Sequence, residues 1–293
     1  MLHTLLYFLA LFCLSTSANW AKLSLMPVEV LGFWRLGLAS LIIFAWILYK
    51  KKAWPQLRDR NISWVVASGL LFFLHLATYT FAAKNTTISN TVILFASNPV
   101  WASVGAILFF NEKLQRRVVL SYMLAFLGIY LLVHKQIHFD TASFHGDLSA
   151  ILSAVFYAAY MLASKRARRH YDNTVFAFFQ FFICALCFGL YVLKTQESLV
   201  GYNSISWVSV AGLILLPTFL GHLTLTYLVN YMNITIISCG KLIEPVIASI
   251  IAFFIFHETL KEESWLAFAL TVISVIILFA PGLWKRSQKI KNL

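Results

Sequence analysis

Segments of about twenty almost wholly apolar residues recur along this chain from one end to the other. Crossing a hydrocarbon core of about 30 Å at about 1.5 Å per residue takes roughly 20 residues. In that medium each backbone N–H and C=O must be paired within its own segment, so the segments are expected to be helices. Spans are read at 3–21, 28–50, 61–83, 88–110, 116–134, 146–164, 174–194, 204–228, 235–256 and 264–283. Charged residues make up 12% of the chain and hydrophobic ones 60%, against roughly 25% charged in soluble domains. The connectors are short, and no polar stretch is long enough for a separate soluble domain. The expected class is an all-α integral membrane protein with ten transmembrane helices.

The first segment has features of a secretory signal: an apolar run at Leu5–Leu14, then small residues at Ser15–Ala18. No Lys or Arg precedes it, and its removal would break the repeat described below. It is therefore expected to be a true span.

Lys and Arg accumulate in cytoplasmic loops. With the N-terminus inside, that side holds sixteen: Lys50, Lys51, Lys52, Arg58, Arg60, Lys113, Arg116, Arg117, Lys165, Arg166, Arg168, Arg169, Lys285, Arg286, Lys289 and Lys291. The other side holds five: Lys22, Lys84, Lys135, Lys194 and Lys261. Both termini are thus expected in the cytoplasm. The bias also accounts for the net charge of +12 through contacts with anionic lipid, and a nucleic-acid role is unnecessary. Cys13, Cys184, Cys187 and Cys239 all fall in apolar segments. Cys184 and Cys187 form a C-x-x-C without a second ligand pair, and small packing residues are the expected reading.

Residues 98–114 align without gaps on 244–260, with eight of seventeen positions identical. Asn98-Pro99-Val100-Trp101-Ala102-Ser103 matches Glu244-Pro245-Val246-Ile247-Ala248-Ser249, and Glu112 matches Glu258. His75-Leu76 and His222-Leu223 precede the two prolines at nearly equal distance. The chain therefore reads as two five-helix units, 1–140 and 141–293, the second ending in a short basic tail. An odd number of spans per unit makes the second copy enter from the opposite side. The expectation is two inverted repeats, with a solute site near the midplane between them.

These motifs, together with Leu74-His75-Leu76-Ala77-Thr78-Tyr79 and Gly221-His222-Leu223-Thr224-Leu225, resemble the drug/metabolite transporter superfamily and its EamA-type repeat. The resemblance runs along essentially the whole chain. It implies a ten-span transporter with a central cavity, usually in a bacterial inner membrane, whose relatives export amino acids, metabolites or drugs, while some import. It does not fix the substrate. Members of the family often carry an acidic residue before the second proline, whereas Lys241 is less usual.

Ionisable residues inside spans are the first candidates for function. Lys241 and Glu244 share one helix face, as a solute or proton site or as a structural ion pair. Pro245 cannot donate to the Lys241 carbonyl, which is expected to leave an acceptor free beside both charges. His75 and His222 match across the repeat and could bind a solute or titrate, or serve as interhelical hydrogen-bond partners. Asn98 and Trp101 are the counterparts of Glu244 and Ile247, and Trp101 could stack on a solute or simply pack. Tyr79 and Thr226 complete the candidate substrate-binding set. Asn19, Trp20, Tyr157 and Gln180 are weaker candidates. Arg35 either reaches outward or pairs with Glu29, in a structural role or in one for transport. Glu112 and Glu258 close the motifs at helix ends and are expected to set loops or a gate.

No G-x-x-x-x-G-K-[ST], H-E-x-x-H or G-x-S-x-G occurs. The expected function is that of a secondary transporter or facilitator for a small organic solute, amino-acid-like or of similar size, with export as the direction. Energy would come from a solute gradient or a coupled proton, and no cofactor or metal is expected. An intramembrane enzyme or a non-transporting scaffold is the alternative.

Overall fold

The computed structural model describes residues 2–52, 54, 61–113, 115–133, 144–258 and 262–279. Within these residues every regular element is helical. The helices are α1 (Leu2–Leu23), α2 (Val28–Tyr49), α3 (Ile62–Asn85), α4 (Ile88–Phe110), α5 (Arg116–Val133), α6 (Phe144–Ala167), α7 (Asn173–Thr195), α8 (Ser204–Leu228), α9 (Ile234–Phe256) and α10 (Glu262–Phe279). Eight of them are long and apolar enough to cross a membrane, and all eight coincide with expected spans. α5 and α10, at 18 residues each, pack against one another, and Ser121 Oγ donates to the Ser274 carbonyl at 2.8 Å. Arg58, Arg60, Leu114, Lys135, Leu260, Lys261, Lys285, Arg286, Lys289, Lys291 and the 140/141 unit boundary lie outside the described residues.

α3 packs along α6, α2 along α7, α1 against α8, and α4 against both α6 and α9. The largest wholly buried side chains, Tyr7, Tyr157, Tyr160, Phe72, Phe176, Phe181 and Phe188, fill the interior between them. The outer face is apolar too, with Leu41, Leu108, Leu193 and Phe254 exposed. In water such a surface would drive association; against lipid it carries no penalty.

Polar contacts sort the connectors into two ends. At one end Lys52 Nζ reaches Asp172 Oδ1 at 2.6 Å, and Lys165 Nζ reaches Glu112 Oε1 at 2.5 Å. The basic connectors after α2, α4 and α6 therefore lie together. At the other end Lys84 Nζ donates to the Ser24 carbonyl (2.5 Å), and Lys22 Nζ pairs with Glu258 Oε1 (3.0 Å). The start of each of α4 and α9 sits against the end of the other, since Glu258 accepts from Ile88 N and Glu112 from Ile234 N. α4 and α9 thus run antiparallel.

Candidate functional site

Both helices that carry the repeated motif are broken just before its proline. α4 consists of Ile88–Phe95 and Asn98–Phe110. α9 consists of Ile234–Gly240, a 3₁₀ turn at Lys241–Ile243, and Glu244–Phe256. Proline lacks an N–H, so the carbonyl four residues earlier loses its helical donor. In α4 that carbonyl belongs to Phe95, and the Asn98 side-chain amide donates to it at 3.2 Å. In α9 it belongs to Lys241. The acceptor expected to be free there is in fact taken by the Glu244 backbone N–H, because the chain tightens into a 3₁₀ turn.

Further up α9, Tyr7 of α1 donates its hydroxyl to the Ile236 carbonyl (2.8 Å) and the Ile237 carbonyl (3.1 Å), and this approach needs Gly240. A Cβ at that position would lie 1.8 Å from the Tyr7 hydroxyl oxygen. α8 is irregular in a third way. Pro217 cannot donate to the Leu213 carbonyl, and ten residues, Ile214–Leu223, wind as a π-helix, a form that often marks functional sites. The Thr218 hydroxyl serves the Leu213 carbonyl at 2.8 Å.

These irregular stretches converge on a cavity of about 10 Å³ lined by Leu14, Ser17, His75, Tyr79, Phe95, His222, Lys241 and Glu244, roughly the room of one water. Lys241 Nζ and Glu244 Oε1 are 2.5 Å apart, with side-chain exposures of 2% and 3%. The ammonium also stands 4.3 Å from the Tyr157 ring centroid and 5.0 Å from that of Phe95, within cation–π range. His75 Nδ1 contacts the Ser153 carbonyl at 3.1 Å. A carbonyl can only accept, so this nitrogen carries a proton, and in the neutral ring Nε2 is left as an acceptor. His222 Nδ1 lies 3.0 Å from the Tyr160 hydroxyl, and the two imidazole centroids are 6.0 Å apart. A buried ion pair, two imidazoles and an aromatic wall can together recognise a small polar solute by charge, hydrogen bonding and stacking.

Five of the eight candidate residues, His75, Tyr79, His222, Lys241 and Glu244, thus come together. Asn98 is buried at the α4 break with its Oδ1 unpartnered, beside Phe95 but not in the lining. Trp101 is 44% exposed. The buried face of Asn98–Phe110 carries Asn98, Pro99, Ala102, Ser103, Gly105 and Ala106, which turns Trp101 outward and away from any stacking role in the cavity. Thr226 is buried one turn past His222 and donates to Asn173 Oδ1 (3.2 Å) and to the Leu223 carbonyl (2.9 Å).

Of the weaker candidates, Tyr157 supplies a ring to Lys241, Asn19 Nδ2 donates to the Ala248 carbonyl (3.3 Å), and Gln180 Nε2 to Ser68 Oγ (2.8 Å). Trp20 packs on Gly212. Arg35 neither reaches outward nor pairs with Glu29: it is buried, and its Nε donates to Thr218 Oγ1 at 2.8 Å. Leu14, Ser17 and Phe95 had not been singled out. The repeat itself marks Phe95, which occupies in the first half the place that Lys241 occupies in the second. Leu14 and Ser17 flank the kink of α1 at Thr16, and apolar or hydroxyl residues there carry no sequence signal of their own.

Glu112 and Glu258 are used in matching ways. Glu112 pairs with Lys165 at the end of α6 and accepts from Ile234 N (3.4 Å) and Thr235 Oγ1 (3.0 Å). Glu258 pairs with Lys22 at the end of α1 and accepts from Ile88 N (3.1 Å) and Ser89 Oγ (3.4 Å). Each carboxylate sits at the positive N-terminal end of the other motif helix.

A model of the EamA-like transporter family matches residues 1–134 and again 144–280. An uncharacterized transporter of Archaeoglobus fulgidus is 25% identical over 207 residues, 70% of this chain and 72% of that one. The pseudopaline exporter of Pseudomonas aeruginosa is 24% identical over 223 residues, 74% of each chain. One solved crystal structure, 18% identical, superposes with a TM-score of 0.78 over 95% of this chain and 98% of the other, a likeness of fold.

Proposed function

Because the chain belongs to the EamA-like transporter family, we propose that this multi-pass membrane protein carries a small organic solute, amino-acid-like or of similar size, by alternating access, with export as its direction. The observation that carries the reading is the cavity in which His75, Tyr79 and Phe95 of the first half meet His222, Lys241 and Glu244 of the second. A site shared between halves changes its access when the halves rock. Each wall contains a broken helix, a form tolerated at membrane depth where it is buried in protein or lines a cavity.

We read the halves as inverted five-span units, with α5 and α10 as the fifth span of each and both termini cytoplasmic in a bacterial inner membrane. The antiparallel course of α4 and α9 and the gathering of basic connectors at one end support this. On the same reading Glu112 and Glu258 are paired latches, one per end. With both engaged and the cavity enclosed, the conformation is the occluded one, and releasing one latch at a time gives access from one side at a time. Export finds its support in a relative whose name is that of an exporter.

The test is counterflow in proteoliposomes, using the full chain and a panel of labelled amino acids and small metabolites. Saturable movement of a chemically unchanged solute is expected, with Glu244→Gln folding normally but retaining under a tenth of the rate. Wild-type rates in Glu244→Gln at equal protein level would sink the assignment of the site. External labelling of a cysteine placed between 168 and 172 in intact cells would sink the orientation.

A further inference from the structure

Arg35 is the most deeply buried charge that the site described above leaves over. It lies on α2 and is 2% exposed. Its guanidinium stays protonated at any physiological pH, and a buried cation is expensive unless an anion or a full set of acceptors meets it. Neither is present among the described residues. Ion pairs there join Lys22 to Glu258, Lys52 to Asp172, Lys165 to Glu112 and Lys241 to Glu244. Nε of Arg35 is held by Thr218 Oγ1, while Nη2 is buried and has no hydrogen-bond partner.

The position of this group matters as much as its state. Thr218 stands one turn before His222 in the π-helical stretch of α8. His222 lines the cavity, so Arg35 is joined to the cavity wall through Thr218. Among the described residues the buried charges are the cations Arg35, Arg168 and Lys241 and the carboxylates Glu29 and Glu244. With neutral imidazoles the formal balance is one positive charge in excess.

We propose that Arg35 is a second anion-binding group of the transport site, and that the favoured solutes carry one ammonium and two carboxylates, an amino-dicarboxylate in chemical class. This rests on the transport reading above. Such a solute exchanges the internal Lys241–Glu244 pair for two external ones, its α-carboxylate on Lys241 and its ammonium on Glu244. The second carboxylate meets the free edge of the Arg35 guanidinium, whose planar fork matches a carboxylate in a way a lysine does not. A solute of net charge −1 neutralises the excess. The present cavity holds about one water, so the solute enters only as the halves part.

L-Glutamate and L-glutamine have nearly the same shape and differ by one carboxylate, which makes them the probes. Purified full-length protein is titrated with each while thermal stability is followed, and the same pair competes in counterflow. Wild type is expected to half-saturate with glutamate at a concentration at least about tenfold below that for glutamine, near 1.4 kcal/mol. Arg35→Gln should weaken glutamate to the glutamine level, abolishing the preference. Arg35→Lys should recover part of the preference.

Equal response of the wild-type protein to the two probes, or to neither, overturns the proposal without any variant that must fold. An Arg35→Gln protein that keeps the wild-type ratio overturns it as well. If Arg35→Gln keeps that ratio while Glu244→Gln still abolishes counterflow, Arg35 is structural and the transport reading stands. Wild-type counterflow in Glu244→Gln removes the site assignment on which the proposal rests, and a wild-type protein without saturable counterflow of any solute removes the transport reading itself.

Discussion

The breaks in α4 and α9 solve the same problem with opposite chemistry. Each must accommodate a proline that withholds one hydrogen bond. In α4 a neutral side chain, Asn98, caps the Phe95 carbonyl from three residues away. In α9 the backbone tightens and caps Lys241 itself, which releases the side chain at position 244 for something else. That side chain is a carboxylate, and one turn earlier Lys241 stands where the first half has Phe95. Lys241 then lies over Phe95, so the two equivalent positions of the repeat are in contact. One repeat element serves as scaffold and the other carries charge.

Separating the two breaks experimentally should give effects of descending size. Lys241→Met strands a buried carboxylate, and about 3–5 kcal/mol is the usual penalty for removing one partner of such a pair. Yield and melting temperature should fall sharply, and the double change with Glu244→Gln should recover most of the loss. If the double variant is no better than Lys241→Met alone, the pair is not what holds α9.

Gly240→Ala drives a methyl into the Tyr7 hydroxyl, and about 1–3 kcal/mol of overpacking is expected, read as a lower melting temperature. α4 has the larger Leu94 at the equivalent place, so the close approach that Gly240 permits belongs to α9 alone. Asn98→Leu uncaps the Phe95 carbonyl at a cost of about 1–3 kcal/mol. Unlike changes at Glu244, it should leave the charge preference among transported solutes intact. A solute preference that follows Asn98 would give α4 a share in recognition.

The latches compare the two ends. Glu112 and Lys165 are 9% and 14% exposed, against 15% and 27% for Glu258 and Lys22. Glu112→Gln is therefore expected to destabilise more than Glu258→Gln, each by around 1 kcal/mol. Each should also raise cysteine labelling of the cavity from its own end only.

The smallest effect is outside the membrane, at Asp172. Partial burial acts to raise its carboxyl pKa, but Lys52 and the Thr174 N–H outweigh it and hold it below the usual value. The folded pKa is below the unfolded one, so its stabilisation is present above about pH 3.9 and is lost as pH falls through the folded value. Since the pair is half-exposed, Asp172→Asn should lower stability by no more than the ~0–1 kcal/mol of a solvent-screened pair. The gap to wild type should close in acid. A gap that persists at pH 2 would assign the effect to the N-cap bond to Thr174 instead.

The matched motifs made five cavity residues legible beforehand, because charge and histidine inside an apolar span are costly enough to stand out. Trp101 misled because a tryptophan beside a polar residue reads alike whether it faces lipid or cavity. Only the buried face of Asn98–Phe110 separates the two. Arg35 could be read as snorkelling while its depth was unknown, and its partner Thr218 lies 183 residues away.

The sequence by itself determined the membrane class, the helical segments and the duplication, since these follow from local hydropathy and from residue identity at fixed spacing. The tertiary structure alone decided which side chains share a cavity, which carbonyl each proline leaves to be capped and by what, and which buried charge stays unmatched. Those outcomes depend on the rotation of each helix about its axis and on contacts between residues far apart in the chain. An all-round apolar helix carries almost no moment to signal its rotation.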